Sequence, residues 1–262
     1  MRLGLALPSR PATWAALVAL ARQAEDLGLA SVWLPDPDRQ APDDALDPLV
    51  ALAGLARVTT TVGLGTMALD AGCRPPGVLA KALATVDRLS GGRLTVGLAP
   101  SDDTEAAAAQ LAEVLVVLRA ALGGQTVHHA GRFHRLEGLR VDPGPVQVRL
   151  PLWAVGGSDA VMAVAAGSAD GWNPGTWYVN AAEAGGDSAR VDDACRRVGR
   201  DPATLARSAN WLAAGGVGAG AGSGDLSGWA VAGVADLVAS PGALPFRGTT
   251  TDDLRAMASA TE

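Results

Sequence analysis

Short apolar runs alternate with longer stretches of helical periodicity through the first half of the chain. Leu3 to Leu7 reads as a buried strand closed by Pro8 and Ser9. From Thr13 to Leu27, apolar residues (Leu17, Leu20, Ala21, Ala24, Leu27) recur at helical spacing, and Gly28 stands where a helix stops. Ser31 to Leu34 is the next strand, ended by Pro35-Asp36-Pro37. The pattern repeats with a helix from about Asp43 to Arg57, a strand at Thr60 to Thr66 and a helix at Pro76 to Leu89. A strand at Arg93 to Leu98 and an Ala/Leu/Val-rich helix at Thr104 to Leu122 follow. Strands that alternate with helices are joined by crossovers and run parallel. Near-continuous apolar strands belong to a sheet covered on both faces.

The second half is less regular. Thr126 to Val141 reads as an excursion, a short hairpin, before Pro143-Gly144-Pro145. Strands are expected at Leu150 to Val155, Ala169 to Trp172, Ser208 to Ala214 and Val234 to Ala239. Helices are expected at Ser158 to Gly167, Asn180 to Val198 and Thr251 to Ser259. Gly215 to Gly228 is almost entirely Gly, Ala and Ser, a loop where the seventh crossover helix should stand. Four units in the first half would also suit half of a doubly wound sheet. Eight strands fit a (β/α)8 barrel of the TIM type better, shortened and with its seventh helix lost. The 262 residues suit one such domain, 1–262, with no domain-scale linker.

Composition narrows the function classes. The hydrophobic share of 48% against 18% charged residues supports a large core and excludes global disorder. With 21 Lys+Arg against 27 Asp+Glu the chain carries a net charge of −6 and has no basic stripe, so nucleic acid is not an expected partner. Lys81 is the only lysine and isoleucine is absent, a GC-rich coding signature that suggests a bacterial source. Cys73 and Cys195 stand far apart in no metal or redox spacing, which suits free thiols in a reducing cytoplasm. The apolar run after Met1-Arg2 is too short for a leader or a membrane span, and no later run reaches eighteen apolar residues. A soluble cytoplasmic protein with no membrane partner is expected.

No phosphate-loop or dinucleotide fingerprint is present. Gly63-Leu64-Gly65 is a bare G-x-G, and Gly215-Gly216-Val217-Gly218 leads into no helix. The strongest signal is LAKALATVDRLSGGRLTVGLA, Leu79 to Ala99: a helix, a double-glycine stop and a buried strand. This segment resembles the one before the fourth strand of luciferase-like flavin and deazaflavin oxidoreductases. SVWLPDP (Ser31 to Pro37) resembles that family's second strand, and VGLGTMAL (Val62 to Leu69) its third. RLEGLRVDPGPVQVRLPLW (Arg135 to Trp153) and SADGWNP (Ser168 to Pro174) resemble its second half. The matches are collinear from about Leu3 to Arg207.

The resemblance implies a TIM-like barrel with a cofactor, the deazaflavin coenzyme F420 or FMN, across the C-terminal strand ends. Such folds place their chemistry there in any case. On the third strand, Thr66, Met67 and Ala68 fall where the resemblance puts the cofactor ring, and Met67-Ala68 where the family often has a non-prolyl cis bond. An ordinary strand end remains the alternative. Gly156-Gly157-Ser158 matches the cofactor-phosphate region, and small residues before a helix expose N–H groups that suit a phosphate. A plain turn capped by Ser158 is the other reading. Asp36 either faces the cofactor or serves the turn. Trp33, Trp153 and Trp172 read as core. His128, His129 and His134 fall in the excursion, away from this site.

The chain also departs from the family pattern. Pro37 and Pro75 stand where many members carry histidines, and Pro100 stands where FMN enzymes carry a phosphate-binding arginine. Ser101-Asp102-Asp103 leads straight into the helix without the insertion that walls the substrate pocket. Asp102 falls near an acidic residue of deazaflavin-dependent relatives and is the candidate proton donor, against a solvated helix-start carboxylate. The expected function is a luciferase-like oxidoreductase or monooxygenase acting on an unknown small molecule, with the deazaflavin slightly preferred over FMN. The competing reading is a non-catalytic flavin-binding barrel; a homodimer is open under either. A metal-dependent hydrolase lacks convergent ligands.

Overall fold

The computed structural model describes residues 1–8, 13–36, 45–178, 180–213 and 227–241. Its first half builds four β/α units: β1 (Arg2–Ala6), α1 (Trp14–Asp26), β2 (Ser31–Leu34), α2 (Pro48–Val58), β3 (Gly63–Asp70), α3 (Pro76–Ser90), β4 (Leu94–Ala99) and α4 (Glu105–Leu122). An antiparallel hairpin, β5 (Val127–Ala130) and β6 (Arg135–Leu139), is the expected excursion. The barrel resumes with β7 (Leu152–Val155), α5 (Asp159–Ser168), β8 (Gly171–Asn173), β9 (Trp177–Tyr178) and α6 (Ala181–Arg197). It ends, among the described residues, with β10 (Ala206–Ala213), α7 (Ser227–Val231) and β11 (Asp236–Pro241).

The parallel order β11-β1-β2-β3-β4-β7-β8-β10 closes on itself through β10 and β11, giving an eight-stranded barrel. β8 pairs with Ala206 and Arg207, and β9 with Asn210 and Trp211, so two short strands share one position in the wall. The helices cover the outside. Five of the helices begin where a side chain accepts from free N–H groups, at Thr13, Asp47, Thr104, Ser158 and Asn180, whereas α3 has no side-chain cap and opens on Pro75-Pro76.

Strand alternation divides the core in two. Val32 and Leu34 of β2 point outward into the helix-covered core, while Trp33 points into the barrel. Trp153 enters from β7, its ring centroid 6.0 Å from that of Trp33. Two indoles fit inside a barrel only if the neighbouring strands give up their side chains at the paired positions, Gly65 beside Trp33 and Gly171 beside Trp153. A Cβ on Gly65 would lie 2.1 Å from the Trp33 ring, and one on Gly171 2.4 Å from the Trp153 ring. Gly63-Leu64-Gly65 is therefore a packing motif. Trp172 lies in the outer core and Trp153 is buried, as the sequence suggested, whereas Trp33 is buried and also lines the cavity at the C-terminal strand ends.

The strongest sequence signal is likewise architectural. Gly91 ends α3 in the left-handed conformation, at φ 69°. The Arg93 guanidinium donates to the carbonyls of Ser90, Val62, Ala56 and Thr59, stitching α2 and α3 to the N-terminal rim of the barrel. The buried Asp87 carboxylate accepts from the amides of Val146 and Gln147 and from Gln147 Nε2, anchoring the return from the hairpin.

Several boundaries move. α2 starts at Pro48 rather than Asp43, because Asp47 caps it. β3 runs from Gly63 to Asp70, beyond the expected end at Thr66, because it bulges and pairs again with β4. β9 was not expected at all. The seventh crossover keeps a one-turn helix, α7, so Ser227 and Gly228 are not loop. Most of the Gly/Ala segment, Pro37 and the closing helix at Thr251 to Ser259 lie outside the described residues. No helix among the described residues is long and apolar enough to cross a membrane.

Candidate functional site

A cavity of about 480 Å³ opens at the C-terminal ends of the strands. That volume lies in the range of about 300–1,000 Å³ common to small-molecule and cofactor sites. Its inner wall is apolar: Ala6, Trp33, Met67, Trp177 and Val238 form a cluster separate from the outer core. Asn210, on the inward face of β10, supplies a buried amide. Its carboxamide pairs reciprocally with that of Asn173, at 3.0 and 3.2 Å. The described rim comes from segments after β2, β4, β7 and β8, with Pro35, Pro100, Asp102, Asp103, Gly156, Gly157, Pro174, Gly175 and Thr176.

The expected residues on β3 separate by one bulge. Thr66 pairs with Val96 and Leu69 with Leu98, so Met67 and Ala68 together oppose Gly97. Both line the cavity, and the Met67-Ala68 peptide is cis. Thr66 does not line it. Fully buried, its hydroxyl donates to Gly97 O and accepts from Gly97 N, each at 3.0 Å. Gly97 must be glycine here, since a Cβ would approach Thr66 O to 2.4 Å.

Across the cavity, Gly156 and Gly157 form the opposite edge. Gly156 sits at φ 147°, a conformation that favours glycine. Its amide donates to Asn173 O and its carbonyl accepts from Trp172 Nε1, both at 2.9 Å. Ser158 does not line the cavity; its hydroxyl accepts from Val161 N as the cap of α5. The first amides of α5 have no partner within the helix and lie beside Gly157.

Asp36 also stands off the cavity. Its carboxylate is gripped by Arg74 at 2.6 and 2.8 Å and accepts from the Asp70 amide at 3.0 Å. Of its two sequence readings, this geometry is the turn role. Asp102 does reach the cavity rim, fully exposed, where it accepts from the hydroxyl and amide of Thr104. The Thr104 hydroxyl foremost, then its amide, hold the Asp102 carboxyl below the ordinary aspartate range. In the unliganded protein this favours the carboxylate over the protonated acid. His129 lies against Glu113 of α4 on the hairpin, and none of the three histidines lines the cavity. Among the described residues no group of His, Cys, Asp and Glu could hold a metal.

Trp177, Asn210 and Asp103 were missed. Asn210 had a legible signal, a polar residue amid the apolar Ala209, Trp211 and Leu212. Trp177 had none, because the two-residue strand that carries it is fixed only by pairing with β10.

The sequence profile described as luciferase-like monooxygenase matches residues 1–214. This chain belongs to that family. Among curated proteins it is 30% identical over 172 residues to the F420-dependent glucose-6-phosphate dehydrogenase of Kineococcus radiotolerans, covering 60% of this chain and 51% of that one. It is 32% identical over 177 residues to the pyrimidine monooxygenase RutA of Stutzerimonas stutzeri, covering 59% and 47%. The matches thus span about half the length of these relatives. Among solved structures, the coenzyme F420 dependent tetrahydromethanopterin reductase of Methanopyrus kandleri superposes with a TM-score of 0.83 at 16% identity, covering 99% and 97%. The monooxygenase RslO1 of Streptomyces bottropensis gives 0.71 at 21% identity, covering 98% and 96%. At such identities the likeness concerns the fold.

Proposed function

We propose that this family member is an oxidoreductase or monooxygenase that holds a deazaflavin coenzyme or reduced FMN in the cavity and acts on a small molecule. The observation that carries the reading is the cavity itself. An apolar wall on the Met67-Ala68 bulge faces a glycine edge at Gly156-Gly157, at the barrel end where such folds place their chemistry. The named relatives include both deazaflavin-dependent enzymes and monooxygenases.

The residues fit such a group in two respects. Trp33, Met67 and Val238 offer an apolar face to a planar ring. Gly156 and Gly157 keep the opposite edge free of side chains, so a phosphate can reach the amides that open α5. A bound coenzyme of this kind supplies the hydride or, as reduced flavin, the electrons for oxygen activation. The protein's share is to position it, exclude water from the ring face and orient a substrate polar group through Asn210. Asp102 serves in this reading as a fixed negative charge on the rim.

Absorbance and thermal-denaturation titrations with FMN and with F420 test the proposal. One of the two is expected to perturb the coenzyme spectrum and raise Tm by several degrees; if neither does so at millimolar concentration, the reading fails. A second reading is a barrel that binds the coenzyme without turning over, because among the described residues neither Asp102, exposed on the rim, nor any histidine belongs to the cavity's inner wall. Coenzyme-dependent conversion of any substrate excludes it.

A further inference from the structure

We propose that Asp36 and Arg74 form a positioning clamp that sets the Met67-Ala68 bulge, and hence the cavity wall against which the coenzyme ring would rest. The inference rests on the proposed function for its ligand, but its geometry stands apart from it. The β2–β3 ladder ends at the pair Leu34–Thr66, just before the bulge. Beyond that point β3 pairs with no further residue of β2. Asp36 replaces the missing strand. Its backbone amide donates to Ala68 O at 3.1 Å, and its carboxylate accepts from the Asp70 amide at 3.0 Å. Asp36 thus holds the bulge at Ala68 and just after it at Asp70, the Leu34–Thr66 pair holds the residue before it, and Thr66 and Gly97 tie it to β4.

A carboxylate used as a strand acceptor is costly unless its charge is matched. The Asp36 side chain is only 11% exposed, and Arg74 answers it with both terminal nitrogens in a forked contact. The same guanidinium reaches Asp47 at 2.8 Å, and Asp47 in turn caps α2 through the amides of Leu49 and Val50. Arg74 therefore ties the end of β2, the segment after β3 and the start of α2 at one point. A lysine could supply the charge but not the planar fork.

Hydrogen–deuterium exchange over residues 66–70 tests the clamp without any ligand, and coenzyme titration tests its consequence. Asp36→Ala and Arg74→Ala are each expected to speed exchange at Ala68 to Asp70 at least tenfold and to weaken binding of whichever of FMN or F420 the wild type takes by about tenfold, with a changed spectrum of the bound form. The double variant should match the more affected single variant, because the two residues act as one unit. Arg74→Lys, milder for folding, should fall between wild type and Arg74→Ala. Glu25→Ala, a control at the opposite barrel end, should lower Tm yet leave exchange at 66–70 and coenzyme affinity unchanged. Unchanged exchange in Asp36→Ala and Arg74→Ala overturns the clamp, as does faster exchange with unaltered affinity and spectrum. Faster exchange in a protein whose wild type binds neither coenzyme would sink the proposed function and leave the clamp standing.

Discussion

The carboxylates of this chain divide by what they face. Asp36, Asp87 and Asp170 each accept from backbone amides and a second donor, the guanidinium groups of Arg119 and Arg149 in the case of Asp170. Glu25 accepts from the amides of Thr60, Thr61 and Val62. Burial raises the Glu25 pKa, but the amides of Thr61, Val62 and Thr60 outweigh it and bring the carboxyl from an ordinary 4.5 down to about 2. A depressed carboxyl stabilises the fold above its unfolded pKa and loses that contribution as pH falls toward the folded one. Glu25→Ala is thus expected to lower Tm at pH 7, with the gap to wild type closing between pH 4.5 and about 2. A gap that stays constant across that window would contradict the assignment.

Asp102 and Asp103 differ from these in exposure: both meet solvent at the cavity rim, although Asp102 also accepts from the amide and hydroxyl of Thr104. Exposed charges interact weakly across water, and salt screens them. Asp102→Asn and Asp103→Asn should therefore tighten binding of an anionic coenzyme by roughly two- to threefold at low salt, and not at high salt. Isothermal titration calorimetry at two salt concentrations reads this directly. Equal affinities at low salt would mean that the ligand's charge lies away from this rim.

At the scale of elements, glycines and tryptophans decide the barrel interior. Gly65→Ala would drive a methyl into the Trp33 ring, and overpacking of this kind costs typically about 1–3 kcal/mol. Chemical denaturation should show that loss for Gly65→Ala. Gly28→Ala, where a Cβ would meet nothing but φ is 73°, should cost only the strain of its turn. A Gly65→Ala protein as stable as wild type would contradict the interior packing.

Much of this level was legible in the sequence. The β/α alternation, the hairpin after α4 and the Gly91 stop all follow from apolar period and turn residues. What escaped reading was set by neighbours in space. The resemblance points to Met67-Ala68, but the strand's own pattern does not show that β3 resumes its pairing to Asp70; β9 needs β10 beside it, and Asp36 turns from the cavity because Arg74, thirty-eight positions on, grips it. Of the expected cavity residues, Met67, Ala68, Gly156, Gly157 and Asp102 line it, whereas Thr66, Ser158 and Asp36 support the segments that do. A single strand's pattern contains no information on which side chain its neighbour will claim.

For the whole molecule, the barrel separates stability from chemistry by its two ends. The N-terminal end carries the Arg93 stitch, the Arg2–Asp236 pair and the Glu25 nest, contacts that join neighbouring elements to one another. The C-terminal end carries the cavity, with its bulge and glycine edge facing each other. The central claim is that a flavin or deazaflavin coenzyme occupies the space between them. An equilibrium titration of wild type and Gly157→Asp with FMN and F420 tests this most directly. Gly157 is the better target than Gly156 because its backbone does not demand glycine; a Cβ there would meet only Pro174 O, at 3.4 Å. The account predicts saturable wild-type binding to one coenzyme and a loss of at least tenfold in Gly157→Asp at unchanged apo-protein Tm. Equal affinity of the two proteins would contradict it.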